Sequence, residues 1–186
     1  MPIPPAKLEF SHVGIYVHDL PKMEAFYSRI LGFVATDRGI ARGALIVFLS
    51  RNPEEHHQIV LAEGRVGGPE SRVVNQLSLR ADNLQDLRDL VDAIVDEPEV
   101  TDIDPINHGN AWSVYFRDPE GNRLEVFVDS PWHIEQPLIE PLDLSMSDDD
   151  IHDRTRAAYG GSDTFQPLEE WKAEFGKRLK AAGLHV

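Results

Sequence analysis

The chain has 186 residues, 41% of them hydrophobic, no cysteine and a formal net charge of −14. That length buries roughly 70% of the unfolded surface, enough for one sizeable core and too little for two ordinary independent domains. The charge argues against nucleic acid, no stretch approaches the ~20 apolar residues of a membrane span, and a start without signal-peptide features in a cysteine-free chain fits a cytoplasmic protein.

Residues 8–17 are expected to form a strand, with His12, Gly14 and Tyr16 on one face. Asp19 and Pro21 then open a helix whose apolar positions are Met23, Phe26, Tyr27 and Ile30, and Gly32 ends it. Residues 33–36, 44–49 and 57–61 read as three more strands. After a glycine-rich linker at 64–69 the order repeats. A strand spans 73–80, and a helix follows with Leu84, Leu87, Leu90, Val91 and Ile94 on one face. A weak strand lies near 100–103, and stronger ones at 111–117 and 123–128 flank the turn Asp118-Pro119-Glu120-Gly121-Asn122. The predicted class is therefore α+β, built from two βαβββ modules at about 8–64 and 72–129 within a domain of residues 1–130. Residues 131–186 form an extended arm, spaced by Pro131, Pro137 and Pro141, and a helical tail. Helices are expected at 148–159, capped by its aspartates, and at about 168–182, where Trp171, Phe175 and Leu179 share a face. The acidic run at 143–153 reads as solvated surface.

The repeat is the most informative pattern. Residues 10–20 align with 74–84, and 56–61 with 121–126, which sets His12 opposite Gln76 and Val60 opposite Glu125. Three of those four positions carry groups able to bind a metal. His18, His133, His152 and His185 are expected at the surface, and Asp118, Gly121 and Asn122 as turn formers.

Three stretches carry a family resemblance: His12-Val13-Gly14-Ile15-Tyr16-Val17, Phe26-Tyr27-Ser28-Arg29-Ile30-Leu31-Gly32-Phe33, and the segment from Tyr115 through Asp118-Pro119-Glu120-Gly121-Asn122 to Glu125 and Phe127. The chain resembles the vicinal oxygen chelate superfamily, which includes glyoxalases, bleomycin-resistance proteins and type I extradiol dioxygenases. The resemblance implies two modules pairing into a cupped half-barrel with a metal in the cup. It assigns His12, Gln76 and Glu125 as ligands, because valine at 60 cannot ligate. Small extradiol dioxygenases are the nearest match, although they carry a second histidine where Gln76 stands, and a neutral amide oxygen suits harder ions than imidazole does. The same resemblance makes His57 the acid/base toward a catechol, Tyr115 a hydrogen-bond donor to substrate oxygen, and His108 a supporting group.

The implied activity is ring cleavage of a catechol-like aromatic diol with O₂. Fe(II) is the implied cofactor, with Mn(II) or another divalent metal as the alternative. Two other functions stay open: a glyoxalase-like isomerase or lyase using the metal as a Lewis acid, and a non-catalytic small-molecule binding protein. A homo-oligomer joined through the tail is also expected, with no nucleic-acid or membrane partner.

Overall fold

The computed structural model describes residues 8–71 and 73–184. The expected starts of the domain and of the second module, the last two residues of the tail and His185 lie outside the described residues.

The first module runs β1 (Val13–Val17), α1 (Leu20–Arg29), β2 (Val34–Ala41), β3 (Ala44–Ser50) and β4 (Ile59–Glu63). The second runs β5 (Leu77–Arg80), α2 (Leu84–Ile94), β6 (Thr101–Asn107), β7 (Ala111–Arg117) and β8 (Arg123–Asp129). Their sheets share one logic, β1-β4-β3-β2 and β10-β6-β7-β8-β5, where β10 (Glu140–Pro141) adds a strand from the arm. Neither sheet closes into a barrel, so the predicted α+β class and paired cup hold.

Both first strands begin later than the sequence pattern suggests. β1 pairs in parallel with β4 from Val13↔Ile59, and β5 with β8 from Leu77↔Leu124. Residues 8–12 and 73–76 form no ladder, and Leu8, Phe10 and Val73 stay exposed. His12 and Gln76 therefore occupy equivalent places, one residue before each strand. β2 runs on to Ala41 because Arg42 (φ 52°) and Gly43 (φ 85°) make a tight hairpin to β3, where the sequence suggested a loop.

Both module helices are capped as their sequences dictate. Asp19 accepts a hydrogen bond from Lys22 N at 3.0 Å, and Asn83 and Asp86 form a reciprocal capping box. Their apolar faces join β3, β4, β7 and β8 in one continuous core. The Asp118–Asn122 turn does more than reverse the chain. Asp118 accepts from Glu120 N, Asn122 N and Asn122 Nδ2, and also from the buried Tyr27 hydroxyl of the first module at 3.2 Å. Glu120 receives the backbone N–H groups of His18 and Asp19 at 2.8 Å. The turn of one module thereby latches onto the first helix of the other.

The arm and tail pack on the second sheet. β9 (Trp132–His133) pairs with β11 (Gln166–Pro167), and helices α3 (Asp148–Tyr159) and α4 (Leu168–Ala181) follow. Ser147, not the aspartates, caps α3. Asp148, Asp149 and Asp150 occupy its first turn, where the helix dipole favours negative charge. His152, expected at the surface, is half-buried, its ring 4.7 Å from that of Trp112 and 5.8 Å from that of Trp132. No helix among the described residues is long and apolar enough to cross a membrane.

Candidate functional site

The second module assembles a polar cluster around Glu125. On the pleated sheet, Ser78 lies beside Glu125 on β8, and Tyr115 lies across from it on β7. Glu125 is 8% exposed, yet among the described residues no lysine or arginine pairs with it. Its carboxylate accepts instead from Gln76 Nε2 at 2.8 Å, Ser78 Oγ at 2.5 Å and Ser113 Oγ at 2.8 Å. Burial pushes the Glu125 carboxyl up, but the Ser78, Tyr115 and Ser113 hydroxyls together with His108 bring it to a net value below the ordinary one. It is an ionised buried carboxylate compensated by neutral donors.

Tyr115 and His108 complete this side. The Tyr115 hydroxyl meets His108 Nε2 at 3.1 Å, and that nitrogen lies 3.9 Å from Glu125 Oε1. His108 Nδ1 sits 2.6 Å from the Leu138 carbonyl. A carbonyl only accepts, so Nδ1 carries a proton. Burial, with the Glu125 hydrogen bond and charge adding to it, pushes the Tyr115 phenol up to about 12. It stays a proton donor at neutral pH.

His108 is held by its hairpin and by the arm. Gly109, at φ 77°, lets the chain turn where a Cβ would stand 2.7 Å from Ile134 Cγ2. Gln136 Nε2 donates to the His108 carbonyl at 2.8 Å.

The first module supplies a histidine cluster. The His12 and His57 rings lie 4.2 Å apart, and Ser11 Oγ is 3.2 Å from His12 Nδ1. His57 Nδ1 meets His56 Nδ1 at 2.9 Å, while His56 Nε2 meets Asp37 Oδ2 at 2.8 Å. Burial, then the neighbouring His12 and His56, draw the His57 imidazole below its ordinary value. A neutral His57 can accept a proton near pH 7.

The predicted residues thus gather in two groups, His12 with His57, and Gln76, Glu125, Tyr115 and His108. No hydrogen bond or ring contact joins the groups among the described residues. Nor do three His, Cys, Asp or Glu side chains meet there as a preformed metal site. The donor chemistry does suit a divalent cation: an imidazole, an amide that could turn its oxygen inward, and a carboxylate with no lysine or arginine partner among the described residues. Sequence reasoning missed Ser78, Ser113, His56 and Arg123. Ser78 and Ser113 lie two residues from Gln76 and Tyr115, a period-2 signal that marks them as facing the same side.

A cleft of about 430 Å³ lies between the two modules, lined by Gly14, Ile15 and Tyr16 of β1, Leu77 of β5 and Arg123 of β8 among others. The Arg123 guanidinium stacks 4.2 Å from the centre of the Tyr115 ring.

Comparison with known proteins agrees with this architecture. Biphenyl-2,3-diol 1,2-dioxygenase 3 of Rhodococcus globerulus is 30% identical over 128 residues, covering 64% of this chain and 63% of the relative. A metapyrocatechase of Pseudomonas sp. (strain CF600) is 26% identical over 132 residues, covering 69% and 41%. The chain therefore spans less than two thirds of the length of these curated relatives. Among solved structures, a glyoxylase/bleomycin resistance protein/dioxygenase domain from Frankia sp. EAN1pec matches with a TM-score of 0.57 at 23% identity, over 67% of this chain and all of that one. A fosfomycin resistance protein from Mesorhizobium loti matches with a TM-score of 0.50 at 16% identity, over 63% of this chain and 89% of that one. At such identities the structures speak to the fold alone. The family model covers residues 9–126, and the chain belongs to the glyoxalase/bleomycin resistance protein/dioxygenase superfamily.

Proposed function

We propose that the protein is a metal-dependent extradiol-type dioxygenase that cleaves a catechol-like vicinal diol with O₂. The observation that carries this reading is Glu125, a buried ionised carboxylate with no lysine or arginine partner among the described residues, flanked by a tyrosine–histidine pair. Hydrogen bonds from neighbouring side chains keep this buried carboxylate anionic, and an anionic oxygen donor is a ligand that divalent cations favour. His12, Gln76 and Glu125 would hold it, with Fe(II) as the metal of this reading and Mn(II) or another divalent ion as the alternative. A bound metal would acidify a coordinated diol and, as Fe(II), would relay electrons from the diol, which is the reductant, to O₂ without net change of its own oxidation state.

The remaining roles follow from the chain's own groups. His57, favoured in its neutral form, takes a proton from a diol hydroxyl and later returns it to an oxygen of the product. Tyr115, protonated at neutral pH, donates a hydrogen bond to a diol oxygen. In the free protein the Tyr115 hydroxyl meets His108 Nε2 at 3.1 Å, and its single proton would turn from there to the diol oxygen, while the Leu138 carbonyl holds the His108 ring through Nδ1. The names of the curated relatives, a biphenyl-2,3-diol dioxygenase and a metapyrocatechase, support the same chemistry. The proposal also takes the protein as a cytoplasmic homo-oligomer. Its contact surface would be the stacked rings of His133, Trp171 and Phe175, and light scattering tests that part.

The test is O₂ consumption by protein loaded anaerobically with Fe(II) and offered a panel of aromatic vicinal diols. Uptake matched by a ring-opened product supports the reading, and no uptake across the panel refutes it. Gln76, a neutral oxygen donor, favours a second reading as a Lewis-acid isomerase or lyase. Turnover with Ni(II), Co(II) or Mn(II) that needs no O₂ would select that reading.

A further inference from the structure

We propose that the cleft between β1 and β5 binds an anionic aromatic, and that Arg123 is the residue that recognises its carboxylate. The charge pattern of the cleft is the first reason. Sixteen residues line it, and they include three arginines and no aspartate or glutamate, in a chain whose net charge is −14. At physiological ionic strength the screening length is about 8 Å, so an arginine of the cleft that no carboxylate neutralises is felt there above the distant acidic surface.

The three arginines are not equivalent. Arg65 Nη1 donates to the Glu120 carbonyl at 3.0 Å and to Asn122 Oδ1 at 3.2 Å, with a Glu120 carboxylate oxygen 3.4 Å away. Arg117 bonds Asp102 at 2.5 Å and the Gly121 carbonyl at 3.0 Å. Both serve to hold the turn. Arg123 has no carboxylate partner among the described residues, and its one recorded contact is the Tyr115 ring. Stacking occupies the flat face of a guanidinium and leaves its N–H edge free, the edge that binds a carboxylate through two parallel hydrogen bonds.

Position supplies the second reason. Arg123 lines the cleft and Glu125 lies outside its lining, but the two are two residues apart on β8 and so on the same face, with their Cα atoms about 6.5–7 Å apart along the strand. That spacing is close to the length of a substituted benzene ring. The apolar lining, including Ile15, Tyr16, Val73 and Leu77, suits the body of such a ring, and Tyr16 and Val73 are largely exposed without it. The volume falls within the ordinary range for small-molecule pockets, about 300–1,000 Å³. A smaller hollow of about 220 Å³ beside α1 offers less, because its Lys22–Glu99 and Arg29–Glu97 pairs already neutralise one another.

The substrate class that follows is an aromatic diol bearing a carboxylate, with the diol toward Glu125 and the carboxylate toward Arg123. The diol half rests on the proposed ring-cleavage function, whereas the anion site does not. The experiment is therefore a binding titration of the full-length protein with benzoate and its neutral isostere benzamide, read by NMR line shifts. Benzoate is expected to bind at least about tenfold more tightly, and Arg123→Gln should bring the ratio of the two affinities close to one. Arg123→Lys, which keeps the charge and loses the fork, should hold an intermediate ratio and guards against a variant that fails to fold.

Equal affinities in the wild type, or an unchanged ratio in both variants, would overturn the anion site. Turnover separates the two proposals. Selective benzoate binding with no oxygenation of either 3,4-dihydroxybenzoate or catechol leaves the anion site standing and sinks ring cleavage. Catechol cleaved as efficiently as 3,4-dihydroxybenzoate does the reverse.

Discussion

Replacing Thr155 with valine tests how firmly the tail is built into the body. Thr155 is fully buried on α3, and its Oγ1 accepts from Trp112 Nε1 and Asn107 Nδ2, each at 3.0 Å, while donating to the Ile151 carbonyl at 2.8 Å. Valine fills nearly the same volume but provides no acceptor. Two N–H donors, on residues 1% and 6% exposed, are then left without a partner. Each orphaned donor costs about 1–3 kcal/mol, and with some relaxation the loss should total about 2–4 kcal/mol. Equilibrium urea unfolding followed by tryptophan fluorescence measures it, and Trp112 is itself part of the probe. Thr155→Ser keeps the hydroxyl and loses one methyl group, so it should cost only about 1 kcal/mol. A Thr155→Val protein within about 0.5 kcal/mol of wild type, or less damaged than Thr155→Ser, would refute the reasoning. The change should also reach the site. Asn107 Oδ1 accepts from Gly109 N at 2.8 Å, so freeing its amide loosens the hairpin that carries His108.

Tyr27→Phe removes the hydroxyl that joins α1 to Asp118 and should cost about 1–2 kcal/mol in chemical denaturation, with the buried ring still in place. Ser113→Ala removes one donor to Glu125, so in metal-free protein the carboxyl should titrate at a higher pH, visible by carbon NMR. Because the folded Glu125 value is depressed, its stabilising contribution is present above the unfolded carboxylate pKa and lost as pH falls through the folded value. The stability gap between wild type and Ser113→Ala should accordingly be widest near pH 7 and close in acid; a gap independent of pH contradicts the assignment. Tyr115→Phe should slow turnover of a diol substrate about ten- to hundredfold in kcat, the equivalent of one hydrogen bond to an oxygen that gains charge. An unchanged kcat would remove Tyr115 from the chemistry.

Much of this molecule is legible in its sequence because the repeat sets the period and the caps set the boundaries. β7 runs over the residues its alternation suggests, and Asp19 and Asn83 open the two module helices. The failures have physical causes. Residues 8–12 have strand composition but no partner strand, since β4 begins opposite Val13. Residues 37–41 look like a polar loop, yet the Arg42-Gly43 turn zips them onto β3. Membership of the candidate site was readable where residue type limits the options, as at Glu125 and Tyr115, which the sheet sets opposite one another. The roles of Ser78, Ser113 and the Leu138 carbonyl depend on which groups the fold brings together. A serine or a backbone oxygen carries no such label in the sequence. Asp118 shows the same effect, because its turn role is local and its bond to Tyr27 spans the two modules.

The claim at the centre of the account is that Glu125 helps hold a divalent cation with His12 and Gln76. Mn(II) binding followed by electron paramagnetic resonance, in the wild type and in Glu125→Ala, tests it most directly. The account predicts one ion per chain in the wild type, with affinity falling at least about a hundredfold in the variant, the loss expected for breaking one buried charged contact of ~3 kcal/mol or more. An absence of stoichiometric binding, or an affinity that Glu125→Ala leaves unchanged, would contradict it.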